Sequence, residues 1–281
     1  MKLKNAAKYF DWDSTYDAYT GILLFKGQFS GYDSASPDGS FQRRRVVSVA
    51  PGTAPAPRRV VTVQNKQWIM GELVTDSFKD KPIRLTAVAK EATDLFALLT
   101  PGQAAERAAG SLNLYGHAAF LKDTVNTVTE SDFDPQYMVS FGSTETIPDG
   151  YFLRSPRQYL HMRSVHLALE GLVVASSDQI VLDSAVVKNC EVDATFLGAM
   201  DPITQLPGSP VLVKGILMDM YMLYTYQTQS VEKNLPGDMS LVISNAYTPK
   251  AGQNLTISGK AWRVVDYSPY HDAWNIRIRR A

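Results

Sequence analysis

The sequence predicts a mainly-β protein: two small barrel- or sandwich-like modules, a short helical insertion and an extended N-terminal arm. Three observations predict it. First, one β-hairpin is written twice. Val61-Thr62-Val63-Gln64-Asn65-Lys66-Gln67-Trp68 matches Leu255-Thr256-Ile257-Ser258-Gly259-Lys260-Ala261-Trp262 at a constant offset of 194 (61 to 255, 68 to 262). In both copies an apolar alternating strand meets a tight polar turn and a Trp opens the next strand, and the turn positions Asn65 and Gly259 hold residue types that tolerate positive φ. Second, most other apolar runs are short, strand-length and bounded by Gly, Pro, Asn or Asp. Third, only one stretch carries a strong helix-start signal.

In chain order, residues 1–20 are polar and aromatic without a sustained period, and read as an extended arm. Its Tyr9, Phe10, Trp12, Tyr16 and Tyr19 require a partner surface for burial and are the candidate interface residues. Residues 21–90 form the first β module. Ile22 to Phe25 and Val46 to Val49 are strands, Ser30 to Gly39 is a loop, and the prolines at 51, 55 and 57 make an irregular connection into the first hairpin copy. Glu72 to Ala87 completes the module, with a turn near Lys79-Asp80-Lys81. After one deleted position the repeat resumes, Ile83-Arg84-Leu85 against Ile276-Arg277-Ile278.

Residues 91–150 form a helical segment and a long loop. Thr100-Pro101-Gly102-Gln103 places an N-cap Thr, Pro at the first helical position and Gln at the third, a capping box. Helix is expected to Ala109, ended by Gly110, with another turn over residues 118–121. Residues 123–150 lack a period. Residues 151–281 form the second β module, in which 171–182 reads as a hairpin and Val211 to Tyr226 as one or two buried strands or a Met-rich helix. That run contains Lys214 and Asp219 and is shorter than the roughly 20 residues of a spanning helix, so no membrane partner is expected. Trp68 and Trp262 are the expected core residues of the two modules.

Twenty-eight basic and 28 acidic side chains leave no net charge to draw the chain toward DNA or anionic lipid. A single cysteine, Cys190, excludes an internal disulfide and a thiol-rich metal cage. The N-terminus lacks a secretory pattern, which points to synthesis in the cytoplasm. Gly252 and Gly259 are separated by six residues and Lys260 is followed by Ala261, so no phosphate-binding loop forms there. His161 and His166 are five apart and face opposite sides of a strand. No catalytic set, cofactor or metal site is assigned, and the chain is expected not to be an enzyme. Arg43, Arg44, Arg45, Arg277, Arg279 and Arg280 border strands. They either guard strand edges or, in a ring, line a DNA passage nonspecifically.

The terminal segment Asn254-Leu255-Thr256-Ile257-Ser258-Gly259-Lys260-Ala261-Trp262-Arg263-Val264-Val265, followed by Trp274-Asn275-Ile276-Arg277-Ile278-Arg279-Arg280, resembles the closing strands of tailed-bacteriophage head–tail connector proteins of the stopper or adaptor type. Those strands also carry a Gly-x-x-Trp-x-Val element and end on an alternating apolar/Arg strand. The resemblance implies a small β-barrel, a homo-oligomeric ring in the virion neck, and portal or adaptor and tail proteins as partners. This chain is longer than usual stopper-type proteins, which leaves collar, tail or baseplate positions, including receptor binding, as an alternative. A virion-associated hydrolase with a dispersed site is the alternative from another class.

Overall fold

The computed structural model describes residues 13–32, 44–50, 59–71, 73–120, 136–142, 148–156, 159–162, 166–167, 173–175, 182–183, 191–198, 203, 208–219 and 237–281. Within them the chain is mainly β with one short helix, as its alternating sequence predicts, and every strand pairing is antiparallel.

The first sheet comprises β1 (Asp13–Asp17), β2 (Leu23–Tyr32), β3 (Arg44–Val49), β4 (Val60–Val63), β5 (Lys66–Met70), β6 (Val74–Phe78) and β7 (Lys81–Ala92). Its order β3-β2-β1-β4-β5-β7 returns to β3 through the β3–β7 pairing, closing a six-stranded barrel. Phe25, Phe29, Val47, Val49, Val61, Val63, Trp68, Met70, Ala87 and Ala89 fill its interior. They sit at alternate positions of their strands, as period-two side-chain geometry requires. Strands β5 and β6 both pair along β7. One long fifth-to-sixth-strand hairpin results, turning at Lys79-Asp80.

Part of the span expected to be an arm belongs to this barrel. Residues 13–17 are its first strand, paired on both sides with β2 and β4. Thr15 and Asp17 point inward at alternate positions, a polar-to-polar alternation that apolar periodicity does not detect. The first module therefore runs from residue 13 to 92.

The middle region corrects the expectation of a helix and a long loop. It contains β8 (Asp94–Leu99), α1 (Pro101–Ala105), β9 (Leu112–Phe120), β10 (Gln136–Phe141), β11 (Phe152–Arg154), β12 (Tyr159–Met162), β13 (His166–Leu167), β14 (Val173–Ala175) and β15 (Leu182–Asp183). Six of these strands hydrogen-bond in the circuit β8-β9-β10-β15-β12-β11, which returns to β8. Buried Phe96, Leu98, Leu114, Phe141, Leu153, Leu160 and Met162 come from these strands. The capping box forms as expected: the Thr100 hydroxyl accepts from the Gln103 N–H and the Gln103 side chain accepts from the Thr100 N–H. The helix stops after one turn, however, and residues 118–120 are strand. Of the expected hairpin over 171–182, residues 171–172 and 176–181 lie outside the described residues; among those described, β14 pairs with β10 and β13, and β15 with β10 and β12.

The last sheet comprises β16 (Glu191–Phe196), β17 (Val211–Asp219), β18 (Met239–Ser244), β19 (Asn254–Ile257), β20 (Lys260–Tyr270) and β21 (Ala273–Arg280), closed as β16-β17-β18-β21-β20-β19. Its core gathers Val192, Ala194, Phe196, Val213, Leu241, Ile243, Leu255, Ile257, Trp262, Val264, Ile276 and Ile278. Of the run from Val211 to Tyr226, residues 211–219 are strand and 220–226 lie outside the described residues. The strand is apolar on both faces because its two faces have different cover. Val213 points into the barrel, while Ile216 and Met218 point out against the middle module. Gly215 fits between these layers, since a Cβ there would lie 2.9 Å from both Leu241 Cδ1 and the Val242 carbonyl.

All three circuits share one chain order. Numbering strands one to six within each, the neighbours run 1-2-3-6-5-4 and back to 1. In the middle unit β13 and β14 lie between strands five and six, and the second β module expected over 151–281 is divided between that unit and the last barrel.

Candidate functional site: repeated hairpins and the junctions between barrels

The twin hairpins occupy strands four and five of the first and last barrels. Their registers coincide: Val63 faces Lys66 and Val61 faces Trp68, as Ile257 faces Lys260 and Leu255 faces Trp262. Gln64 and Asn65 have φ of 50° and 61°, and Ser258 and Gly259 have 49° and 73°. Both turns thus carry positive φ at their two central residues, the geometry that matches the twist of paired strands. Trp68 and Trp262 are buried in their respective cores, as expected. Each also lies under a guanidinium, that of Arg45 at 5.1 Å and that of Arg280 at 4.5 Å from the ring centroid. The resumed match of Ile83–Leu85 with Ile276–Ile278 is not structural. Trp68 pairs with Glu91 and Trp262 with Arg280, so the position equivalent to Ile278 is Ala89.

Of the basic residues, Arg43 lies outside the described residues and Arg44 is the first residue of β3. Arg277 is only 5% exposed and is paired with Asp266 at 2.7 Å. Arg279 makes a two-pronged pair with Asp238, Nε to Oδ1 at 2.7 Å and Nη2 to Oδ2 at 2.9 Å. With Arg280 over Trp262, all three of these side chains are engaged within the barrel. An arginine fork that meets a carboxylate in this geometry is among the stronger ionic contacts.

Tyr9, Phe10 and Trp12 lie outside the described residues. Tyr16 is exposed on β1, and Tyr19, in the connection from β1 to β2, finds its partner within the chain. The Tyr19 and Tyr115 rings are 5.1 Å apart, and the Tyr115 N–H donates to the Tyr19 hydroxyl at 3.0 Å. Burial of that hydroxyl raises its pKa, which the Tyr115 N–H only partly offsets. Below it, Asp17 holds the turn. Burial pushes the Asp17 carboxyl up, but bonds from Arg59, from the Thr20 N–H and hydroxyl, and from the Tyr19 N–H together outweigh it and leave its pKa lowered.

The junction between the middle unit and the last barrel is more extensive. The tip of the β20–β21 hairpin, Tyr270-His271-Asp272-Ala273, reaches onto the end of the middle unit. Asp272 accepts the Gly102 N–H at 2.9 Å and the Thr100 hydroxyl, adding to the cap of α1. The Tyr270 hydroxyl donates to the Gly150 carbonyl at 3.1 Å and lies 2.8 Å from His161 Nε2, which must then be the donor to it. His271 stands edge-on to Tyr151 at 5.5 Å. Leu99, Ala104, Phe152 and Tyr159 pack with Ile216, Met218, Val242 and Ala273, and Arg107 and Arg154 face Glu191 and Asp193 across the same seam.

Two glycines admit the tip. A Cβ on Gly102 would lie 2.7 Å from Asp272 Oδ2, and one on Gly150 (φ 82°) would collide with the Tyr270 hydroxyl. The sequence places Gly102 in the capping box but assigns neither glycine a contact and does not predict the junction; its local signals are the Gly after Pro101 and the His-Asp turn before the last strand.

His161 is therefore a buried junction residue. His166 begins β13, opposite Val174. Among the described residues no three His, Cys, Asp or Glu side chains cluster as a metal site, and no helix is long and apolar enough to cross a membrane. Comparison of the chain with protein-family models, with curated proteins and with solved structures finds no match.

Proposed function

We propose that the chain is a structural protein of a tailed-bacteriophage virion, acting in the head–tail connector as a ring of identical copies that joins the portal or its adaptor to the tail. The observation that carries this reading is the C-terminal hairpin. Gly259-Lys260-Ala261-Trp262-Arg263-Val264 and the strand ending Arg277-Ile278-Arg279-Arg280, which resemble the closing strands of stopper and adaptor proteins, complete a small six-stranded barrel with Trp262 in its core. Three units of one strand order in a single chain suit a part whose role is to present surfaces to neighbours. The assembly is proposed to form in the host cytoplasm and end in the virion. DNA contact is not assigned to Arg277, Arg279 or Arg280, whose heads are held by Asp266, Asp238 and Trp262.

Electron microscopy of particles together with light scattering of the purified chain tests the reading. A ring at the neck is the expected result. A chain that stays monomeric and is missing from purified particles would overturn it.

A further inference from the structure

The two junctions between units are built differently. At the second, both sides supply buried residues to one apolar layer, with Phe152 and Tyr159 of the middle unit packed among Ile216 and Met218 of the last barrel. The β20–β21 tip adds polar bonds to Gly102 and Gly150. At the first junction, Val60, Ile69 and Ala92 are buried on the outer face of the first barrel, because the alternating positions Val61, Trp68 and Ala89 face its interior. Ala18 packs beside them from the β1–β2 connection. Among the described residues, the side chain that the middle unit places on this cluster is Tyr115.

Tyr115 engages the first barrel in three ways. It packs on the apolar cluster, its ring lies 5.1 Å from that of Tyr19, and its N–H donates to the Tyr19 hydroxyl at 3.0 Å. Its cross-strand partner Leu95 is 41% exposed, so water reaches the rim of the contact. One aromatic seated in an apolar recess is the arrangement in which a single residue carries most of an interface's energy. The covalent crossing is equally abrupt. Ala92 ends β7 and is still paired with Gln67 of the first barrel. Thr93 already belongs to the middle unit: its N–H donates to the Gly116 carbonyl at 2.9 Å, and its hydroxyl donates to Asp94 at 2.8 Å and lies 2.9 Å from His117 Nδ1. Residues at the ends of elements are where hinges absorb changes in φ and ψ.

We infer that the first barrel pivots at the Ala92–Thr93 step against a body formed by the middle unit and the last barrel, and that Tyr115 is the latch that holds it closed. Opening keeps the barrel intact, because the residues of its interior lie on the opposite face of the strands from Val60, Ile69 and Ala92. The second junction stays shut, since its apolar layer and the Asp272 clasp do not involve Tyr115. The inference rests on contacts within one chain and is independent of the proposed role in a virion.

Distances between paired spin labels test it on the full-length chain carrying Cys190→Ser, so that labels attach only where they are placed. Lys26→Cys with Ser111→Cys spans the first junction, and Ser111→Cys with Lys250→Cys spans the second; all three sites are exposed. With Tyr115 intact, each pair should give one narrow distribution. Tyr115→Ala should raise the open population at the first junction about a hundredfold, as loss of an aromatic anchor does. The first distribution then broadens and the second stays narrow. Tyr19→Ala changes a half-exposed turn residue and should broaden the first pair alone, to a lesser degree. Tyr115→Phe keeps the ring and the amide and should leave both narrow. If Tyr115→Ala loosens the middle unit itself and broadens both pairs, Tyr19→Ala decides: broadening of the first pair alone supports the latch, and no change or joint broadening overturns it. A first distribution that is already broad with Tyr115 intact, or that stays narrow in Tyr115→Ala, would also overturn it.

Discussion

The first and last barrels carry the same hairpin in the same register, with Trp68 and Trp262 in equivalent positions. They part company in the outer half of the next hairpin. In the first barrel that half stands in solvent, with Lys79 through Arg84 exposed. In the last, Tyr270 to Ala273 are pressed against α1, Gly150 and His161. The lesson is that one barrel plan offers two independent parts: an inner half that makes a core, and an outer half that makes a junction when a neighbour is present. The fastening of the Trp differs too. Arg45 reaches Trp68 from strand three, whereas Arg280 reaches Trp262 from strand six. The cation–π contact is kept while the strand that supplies it changes.

The hardest test of that equivalence is Trp68→Ala against Trp262→Ala. Each removes the largest side chain of a closed core and should cost about 3–5 kcal/mol in its own barrel, measured by denaturant unfolding with probes placed in each barrel. Unequal losses, with one variant near neutral, would break the claim that the two Trp do the same job. Next in size is the contrast between the tips. Asp272→Ala removes acceptors from the Gly102 N–H and the Thr100 hydroxyl and should destabilise the monomeric chain by about 1–3 kcal/mol. Asp80→Ala should leave monomer stability within about 0.5 kcal/mol, as exposed substitutions do. Hydrogen exchange at residues 99–105 and 270–274 would report the loosening, and equal protection in both variants would erase the distinction.

Turn chemistry gives a smaller effect. Gly259→Ala forces a Cβ into φ 73° and should cost roughly 1–2 kcal/mol, whereas Asn65→Gly, at φ 61°, should be close to neutral. Matched thermal melts check it. The smallest is a pH effect confined to the first barrel. The folded-state pKa of Asp17 is lowered from the ordinary 3.8, so its contribution is fully present above that value and is lost as pH falls through the lowered one. Acid titration of the first barrel should show this loss, and Asp17→Asn should flatten it while leaving the last barrel's profile unchanged.

Much of this was legible in the residues because the hairpin signals are local. An Asn or Gly in a two-residue turn, with alternating apolar positions on either side, is enough to set register and to decide which Trp face is buried. The capping box at Thr100 was legible for the same reason, although the helix it starts is a single turn. The middle unit escaped detection. Its strands β11 and β12 are apolar at successive positions, Phe152 and Leu153, then Tyr159 and Leu160, since one parity faces its own interior and the other faces the last barrel. Period-two reading fails on strands covered on both faces. The polar strand β1 escaped for the opposite reason: its inward residues are Thr15 and Asp17, the latter made tolerable by Arg59 and Thr20.

By itself, then, the sequence determined the fold class, the two Trp hairpins with their positive-φ turns, and the cap of α1, all set by contacts within a few residues. Only the tertiary structure decided that a third sheet, with its strands paired in a circuit, lies between the two barrels in the chain, that Arg277 and Arg279 are locked onto Asp266 and Asp238, and that Asp272 clasps a helix 170 residues away while Asp80 is exposed. Those outcomes depend on which strand closes a barrel and which neighbour covers its outer face. Both are long-range pairings, and the order of residues along one strand carries no local signal for them.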